Sequence, residues 1–126
     1  MKYLLDTCSF LWSLNEYEKL SPTVTNIIES ENELYLSIIS LWEITIKQTI
    51  KKINLQYTPS ELRLLAETMD IQIVMFDHKD LDILYNLPYY HKDPFDRMII
   101  SQAISNDMLL ITKDSQIPKY PVKFIW

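Results

Sequence analysis

A three-layer α/β/α domain around a central, mostly parallel sheet is the fold class this sequence predicts, and three observations carry it. Short apolar runs at 3–5, 34–37, 71–75 and 109–112 alternate with longer amphipathic segments. Such alternation marks crossover units, in which helices cover both faces of a parallel sheet. At 126 residues and 48% hydrophobic content, the chain suits one compact domain, 1–126, with one core. No internal repeat, low-complexity tract or interdomain linker breaks the pattern.

Tyr3 to Asp6 reads as a short buried strand, and Thr7 to Leu14 as a helix weighted by Phe10, Leu11 and Trp12. Ser21-Pro22 opens a second helix, because serine caps orphan amides and proline suits the first helical position. Leu34 to Ser37 is the next strand. Ser37 or Ser40 then starts a helix through about Lys51, with Ile39, Ile46 and Ile50 on one face. Thr58-Pro59-Ser60-Glu61 is a capping-box signature, followed by a strand over Ile71 to Met75. Asp77 caps a helix through about Tyr85, and Asp93-Pro94 launches another through about Asn106. Leu109 to Thr112 is a strand, with Val122 to Ile125 as a candidate last one.

Composition excludes several functions. Glycine is absent, so neither a dinucleotide-binding G-x-G-x-x-G nor a P-loop can exist. The lone Cys8 has no internal disulfide partner and no basic-then-apolar leader precedes the first strand, which fits a reducing cytoplasm. No apolar run approaches the roughly 18 residues a membrane helix needs. The net charge of -5 argues against a broad basic nucleic-acid face.

Four carboxylates stand where carboxylates are structurally awkward: Asp6 closes an apolar strand, Glu43 and Asp96 fall on the apolar stripes of two helices, and Asp114 follows Leu109-Leu110-Ile111. Acids are seldom buried unless paired or bound to a cation, so four of them converging suggest an oxygen-ligand site for Mg²⁺ or Mn²⁺. Setting them aside leaves 12 basic against 13 acidic residues, so most of the imbalance is local to one pocket. Each has an ordinary alternative. Asp6 can cap the following helix, Asp96 can serve the dipole three residues after the Asp93 cap, Asp114 can belong to a turn, and Glu43 can pair with Lys47 one turn on.

The same residues resemble the PIN-domain ribonucleases of the VapC toxin type. Leu4-Leu5-Asp6-Thr7-Cys8-Ser9-Phe10-Leu11-Trp12 is similar to that family's opening strand and first acid, and Ser40-Leu41-Trp42-Glu43-Ile44 with Lys47 to its helix-borne glutamate segment. His91-Lys92-Asp93-Pro94-Phe95-Asp96-Arg97 resembles its most distinctive block, and Leu110-Ile111-Thr112-Lys113-Asp114 its final acid. The resemblance implies a PIN-like domain, metal-dependent cleavage of RNA, a cognate antitoxin and a homodimer. It makes Asp6, Glu43, Asp96 and Asp114 the acidic site, with Asp6 and Asp96 the direct metal ligands. Cys8 stands where the family often carries a polar residue and reads as core filler.

Arg97, beside Asp96, is a candidate phosphate ligand, and Tyr89 and Tyr90 are candidates for base stacking or for packing the loop. Two other functions compete. His78 and His91 could form an acid-base pair for metal-independent RNA cleavage. Alternatively, the chain is a non-catalytic interaction module of the same fold, with Trp12, Trp42 and Phe10-Leu11 lining a partner groove, or else, as is favoured for most of them, packing the core.

Overall fold

The computed structural model describes residues 1–126. Its elements follow in the order β1 (Lys2–Leu5), α1 (Thr7–Asn15), α2 (Pro22–Glu29), β2 (Glu33–Ser37), α3 (Ile38–Thr49), α4 (Pro59–Thr68), β3 (Ile71–Val74), α5 (His78–Tyr85), α6 (Pro94–Ser105), β4 (Leu109–Ile111) and β5 (Phe124–Ile125). Short 3₁₀ turns follow α1 and β4. The five strands lie in the order β3-β2-β1-β4-β5, and every neighbouring pair is parallel.

Period-two alternation splits each strand between two apolar layers. Tyr3 and Leu5 of β1, Leu34 and Leu36 of β2 and Ile111 of β4 face one layer, where Phe10 of α1, Val24 and Ile27 of α2, Ile44 of α3 and Leu62 of α4 meet them. Leu4 and Leu110 face the other, against Met98, Ile99, Ile100 and Ala103 of α6. Helix α3 serves both, with Leu41 and Ile44 in the first layer and Ile39 in the second.

The strand order reverses direction at β1, which sits between β2 and β4. Sheets of this kind leave a crevice beyond the carboxyl ends of the strands at such a switch point. The backbone N–H of Asp6 donates to the Ile111 carbonyl (3.1 Å), carrying the β1–β4 ladder one residue into that crevice.

Caps fall where the sequence places them. Asp6, Ser21, Ser37, Thr58 and Asp93 each accept backbone N–H groups at the start of their helices, and Thr58 with Glu61 closes the capping box. A buried polar cluster joins the end of β2 to α5 and α6: the Ser37 hydroxyl donates to Gln102 Oε1, and Gln102 Nε2 donates to Asp80 Oδ2 and the Met75 carbonyl, both at 3.3 Å.

Ile50 departs from expectation. It caps α3 and is 55% exposed instead of lying on the buried face, because the chain turns sharply at Lys51 (φ 58°). With no glycine available, the left-handed residues that stop α3, α4 and α6 are Lys51, Asp70 and Asp107. After α3 and α6, the following residue donates back five positions, from Lys52 to the Lys47 carbonyl and from Met108 to the Ala103 carbonyl, both at 2.8 Å. A left-handed residue with a Cβ costs roughly 1–2 kcal/mol, and aspartate tolerates the conformation better than lysine. Lys51→Gly is therefore expected to stabilise the protein by about 0.5–1 kcal/mol after the entropic penalty of glycine, read as a raised urea midpoint at constant slope.

Candidate active site

All four acids line one cavity of about 560 Å³ at the carboxyl ends of the strands, walled also by Thr7, Cys8, Trp12, Lys47, Asp93 and Lys113 among others. Asp6 reaches it from the end of β1. As N-cap of α1 it accepts the Ser9 N–H through Oδ1 (2.8 Å), so capping and pocket placement coexist. Glu43 reaches it from the middle of α3 and is only 4% exposed. Both of its oxygens are engaged: the Thr7 hydroxyl lies 2.7 Å from Oε1, and Lys47 donates to Oε2 at 2.6 Å.

Asp96 enters in the first turn of α6. Asp93 caps that helix by accepting the N–H groups of Phe95 (2.8 Å) and Asp96 (3.2 Å). The Asp96 carboxylate, spared that duty, is left to the cavity. Asp114 follows β4. Its Oδ1 accepts the Gln116 N–H (2.9 Å), and its Oδ2 lies 2.7 Å from His91 Nε2. Ligating atoms of His91, Asp96 and Asp114 lie within 4.8 Å of one another.

Crowded charge is the electrostatic signature. Asp96 is pushed up to about 7, first by burial and then by Asp93 and Glu43, with His91 opposing and Asp114 adding to the rise. Burial also raises Asp6 above the usual carboxylate range, against hydrogen bonds from Ser9 and Thr112. The bond to Glu43 holds Lys47 above its ordinary value, so this cation stays charged. The donor set facing the cavity is rich in carboxylate oxygen, which suits a hard divalent cation such as Mg²⁺ or Mn²⁺. Among the four acids, Asp96 is the one whose carboxylate accepts no protein hydrogen bond.

Other expectations need correction. Arg97 does not line the cavity. It is 6% exposed, donates to the carbonyls of Pro88 (2.8 Å) and Leu87 (3.3 Å), and stacks 3.9 Å from the Tyr89 ring, so its guanidinium is turned to the loop and away from the cavity. It straps the loop before α6 to the helix. Cys8 is exposed on the cavity wall, where it is no core filler, because Thr7, Ser9 and Phe10 occupy the buried side of α1. Burial and then Asp6 raise its thiol above the usual range, which keeps it protonated.

His78 and His91 do not share the cavity as an acid-base pair. His78 pairs with Asp77 (2.8 Å) on an exposed helix start, and His91 turns to Asp114 and Tyr120. Trp12 packs against the first apolar layer and forms cavity wall, whereas Trp42 is 57% exposed and meets Phe95 edge-on. Tyr90 packs edge-on against Tyr120. Asp93, Thr7 and Lys113 are the neighbours that sequence reasoning did not place at the site, and His91, weighed there only as half of an acid-base pair, joins them through Asp114. Only pairing across 23 residues, from His91 to Asp114, could have singled out the histidine, and spacing does not encode it.

Curated protein sequences give no significant match. Among solved structures, the chain is similar to VapBC2 from Rickettsia felis, determined with a DNA fragment from their promoter, at TM-score 0.75 and 19% identity over 99% of this chain and 98% of that one. It is similar to VapBC-1 from nontypeable Haemophilus influenzae at TM-score 0.64 and 18% identity, covering 99% and 97% of the two chains. A toxin-antitoxin complex from Klebsiella pneumoniae aligns at TM-score 0.58 and 17% identity, covering 98% and 96%. These likenesses establish the fold. The PIN domain family model matches residues 3–123, nearly the whole chain, and the chain belongs to the PIN domain family.

Proposed function

We propose that the chain is a metal-dependent endoribonuclease acting as the toxin of a toxin-antitoxin pair, with Asp6, Glu43, Asp96 and Asp114 as its catalytic acids. One observation carries the reading: acids from four separate elements line a single crevice at the switch point of a parallel sheet, with Asp96 held near neutrality in its own titration. Family membership and the likeness to VapBC assemblies support it.

Asp6 and Asp96 are assigned as direct metal ligands. Glu43, held by Thr7 and Lys47, and Asp114, held by Gln116 and His91, are assigned to orient water on the same ion. When bound, a divalent cation polarises a phosphodiester and lowers the pKa of its water. The basic rim makes a polyanion tolerable. Lys47 and Lys113 line the cavity, while Lys19 and Lys113 lie 5.7 and 5.9 Å from the Trp12 ring. A half-buried indole near two ammonium groups, one of them paired with Glu16, suits an unpaired base and a flanking phosphate, and supports a single-stranded nucleic acid, RNA in this proposal, as substrate. A cognate antitoxin and a homodimer complete the proposal, with exposed Trp42 on α3 and Leu64 on α4 as available apolar surface. No helix is long and apolar enough to cross a membrane.

Millimolar Mg²⁺ or Mn²⁺ is expected to raise the melting temperature, because it binds the folded state alone. EDTA is expected to abolish cleavage, and the products should carry 5′-phosphates; chelator-resistant cleavage leaving cyclic phosphates would favour internal attack by the 2′-hydroxyl. Asp96→Asn should remove the metal-induced shift and lower cleavage by more than about 100-fold, the upper range for residues that only support a ligand. The same variant should be no less stable than the parent without metal, since it deletes a crowded buried charge.

The pH dependence has a definite sign. Asp96 titrates higher folded than unfolded, so its contribution to stability is fully present below about pH 4 and is lost as pH rises towards about 7. Urea unfolding in EDTA should show falling stability across that window. Excess Mg²⁺ should offset the fall, because the ion binds the ionised carboxylate.

A further inference from the structure

The hydrogen bonds around Tyr120 fix which nitrogen of His91 carries its proton. Tyr120 is buried in the segment after β4, and its hydroxyl oxygen receives two backbone donors, the N–H of Tyr90 (3.0 Å) and of His91 (2.6 Å). Those two bonds use the acceptor capacity of the phenol. Its one proton then points to the remaining neighbour, His91 Nδ1 at 3.1 Å. A neutral imidazole that accepts at Nδ1 carries its hydrogen on Nε2. Nε2 lies 2.7 Å from Asp114 Oδ2. The opposite tautomer would aim three donors at one phenol oxygen and leave the phenol proton without a partner.

We propose that His91 is a positioning residue, locked by Tyr120 as the Nε2–H tautomer, which holds Asp114 by donation and is thereby denied to the metal as a ligand. The proposal rests on the metal-site reading above. Proximity alone would group His91, Asp96 and Asp114 as a mixed nitrogen and oxygen site, since their ligating atoms lie within 4.8 Å. The direction of the Nε2 proton separates them. An ion held there would meet oxygen only, a set that would suit Mg²⁺ or Mn²⁺ better than Zn²⁺.

The rest of the contact geometry fits a fixed strut. The imidazole stacks on the Tyr120 ring at 5.3 Å and 18°, and Asp114 is gripped from its other oxygen by Gln116. His91 precedes the helix that carries Asp96, and Tyr120 follows the strand that delivers Asp114. The strut therefore sets the two acids relative to each other, the role that histidine-carboxylate pairs play around metal sites.

Long-range ¹H–¹⁵N NMR of the intact chain, with the imidazole neutral, tests the tautomer directly; a His78→Asn variant assigns the second histidine. The expected result is a protonated Nε2 and a bare Nδ1, unchanged when Mg²⁺ saturates the site. A protonated Nδ1, or an Nε2 that loses its proton on metal addition, would overturn the proposal. In parallel, Mg²⁺ titrations should show His91→Leu weakened about 10–100-fold, with His91→Gln, whose amide still donates to Asp114, closer to the parent. Equal affinity in all three would also defeat it. A parent chain on which Mg²⁺ perturbs neither Asp6 nor Asp96 would instead sink the metal-site reading, and the tautomer measurement would still judge the strut.

Discussion

Mutual repulsion among carboxylates at one end of the sheet is the constraint on which this structure turns. Asp96 and Asp114 approach within 4.8 Å, and two ionised carboxylates at that range repel by roughly 3–4 kcal/mol at an effective dielectric of 20. A chain free to relax would separate them. Here the acids are bound to elements fixed by other forces: β1 and β4 by their ladder, α6 by the isoleucines beneath it, and α3 by apolar layers on two sides. Hydrophobic burial holds the charges together, and the raised titration of Asp96 records first that burial and then the repulsion from Asp93, Glu43 and Asp114.

Each acid is distinguished by its neighbours. Glu43 is saturated with donors and paired with a cation, so its charge is already balanced. Asp114 is clamped through both oxygens, and Asp6 accepts from Ser9 and Thr112. Asp96 has no such support because Asp93 takes the capping role three residues earlier. The Asp-Pro-Phe-Asp segment thus divides two jobs between two aspartates, with Asp93 securing the helix start and Asp96 presenting a free carboxylate, whereas Asp6 combines capping with its place in the cavity.

Much of this was legible in the sequence because it rests on local rules. Caps at Ser21, Thr58 and Asp93, strand alternation, and Glu43 on an apolar arc all follow from short-range chemistry, and the strand-end positions of Asp6 and Asp114 follow from the parallel sheet. The misplaced residues are those whose partners are distant or geometric. Arg97 looked available beside Asp96, yet successive helical residues point about 100° apart, and that rotation sends it to the carbonyls of Leu87 and Pro88. Cys8 follows the same rule on α1, facing the cavity while its neighbours face the core. The link from His91 to Tyr120 spans 29 residues and has no periodic signature.

The overall acidity of the chain then ceases to be an argument against a polyanionic ligand. Charge acts locally within a Debye length of about 8 Å at physiological ionic strength. Across the cavity, Lys47 is neutralised by Glu43 and Lys19 pairs with Glu16, but Lys113 has no carboxylate partner and lies 5.9 Å from the Trp12 ring. A nucleic acid strand would meet those cations and the indole at the rim before the acids beneath. On the proposed reading the acids would be neutralised from within, by a divalent cation supplying two positive charges. The same ion that relieves the repulsion between Asp96 and its neighbours would make the floor of the crevice hospitable to phosphate, so stability and substrate affinity are coupled through one group of side chains.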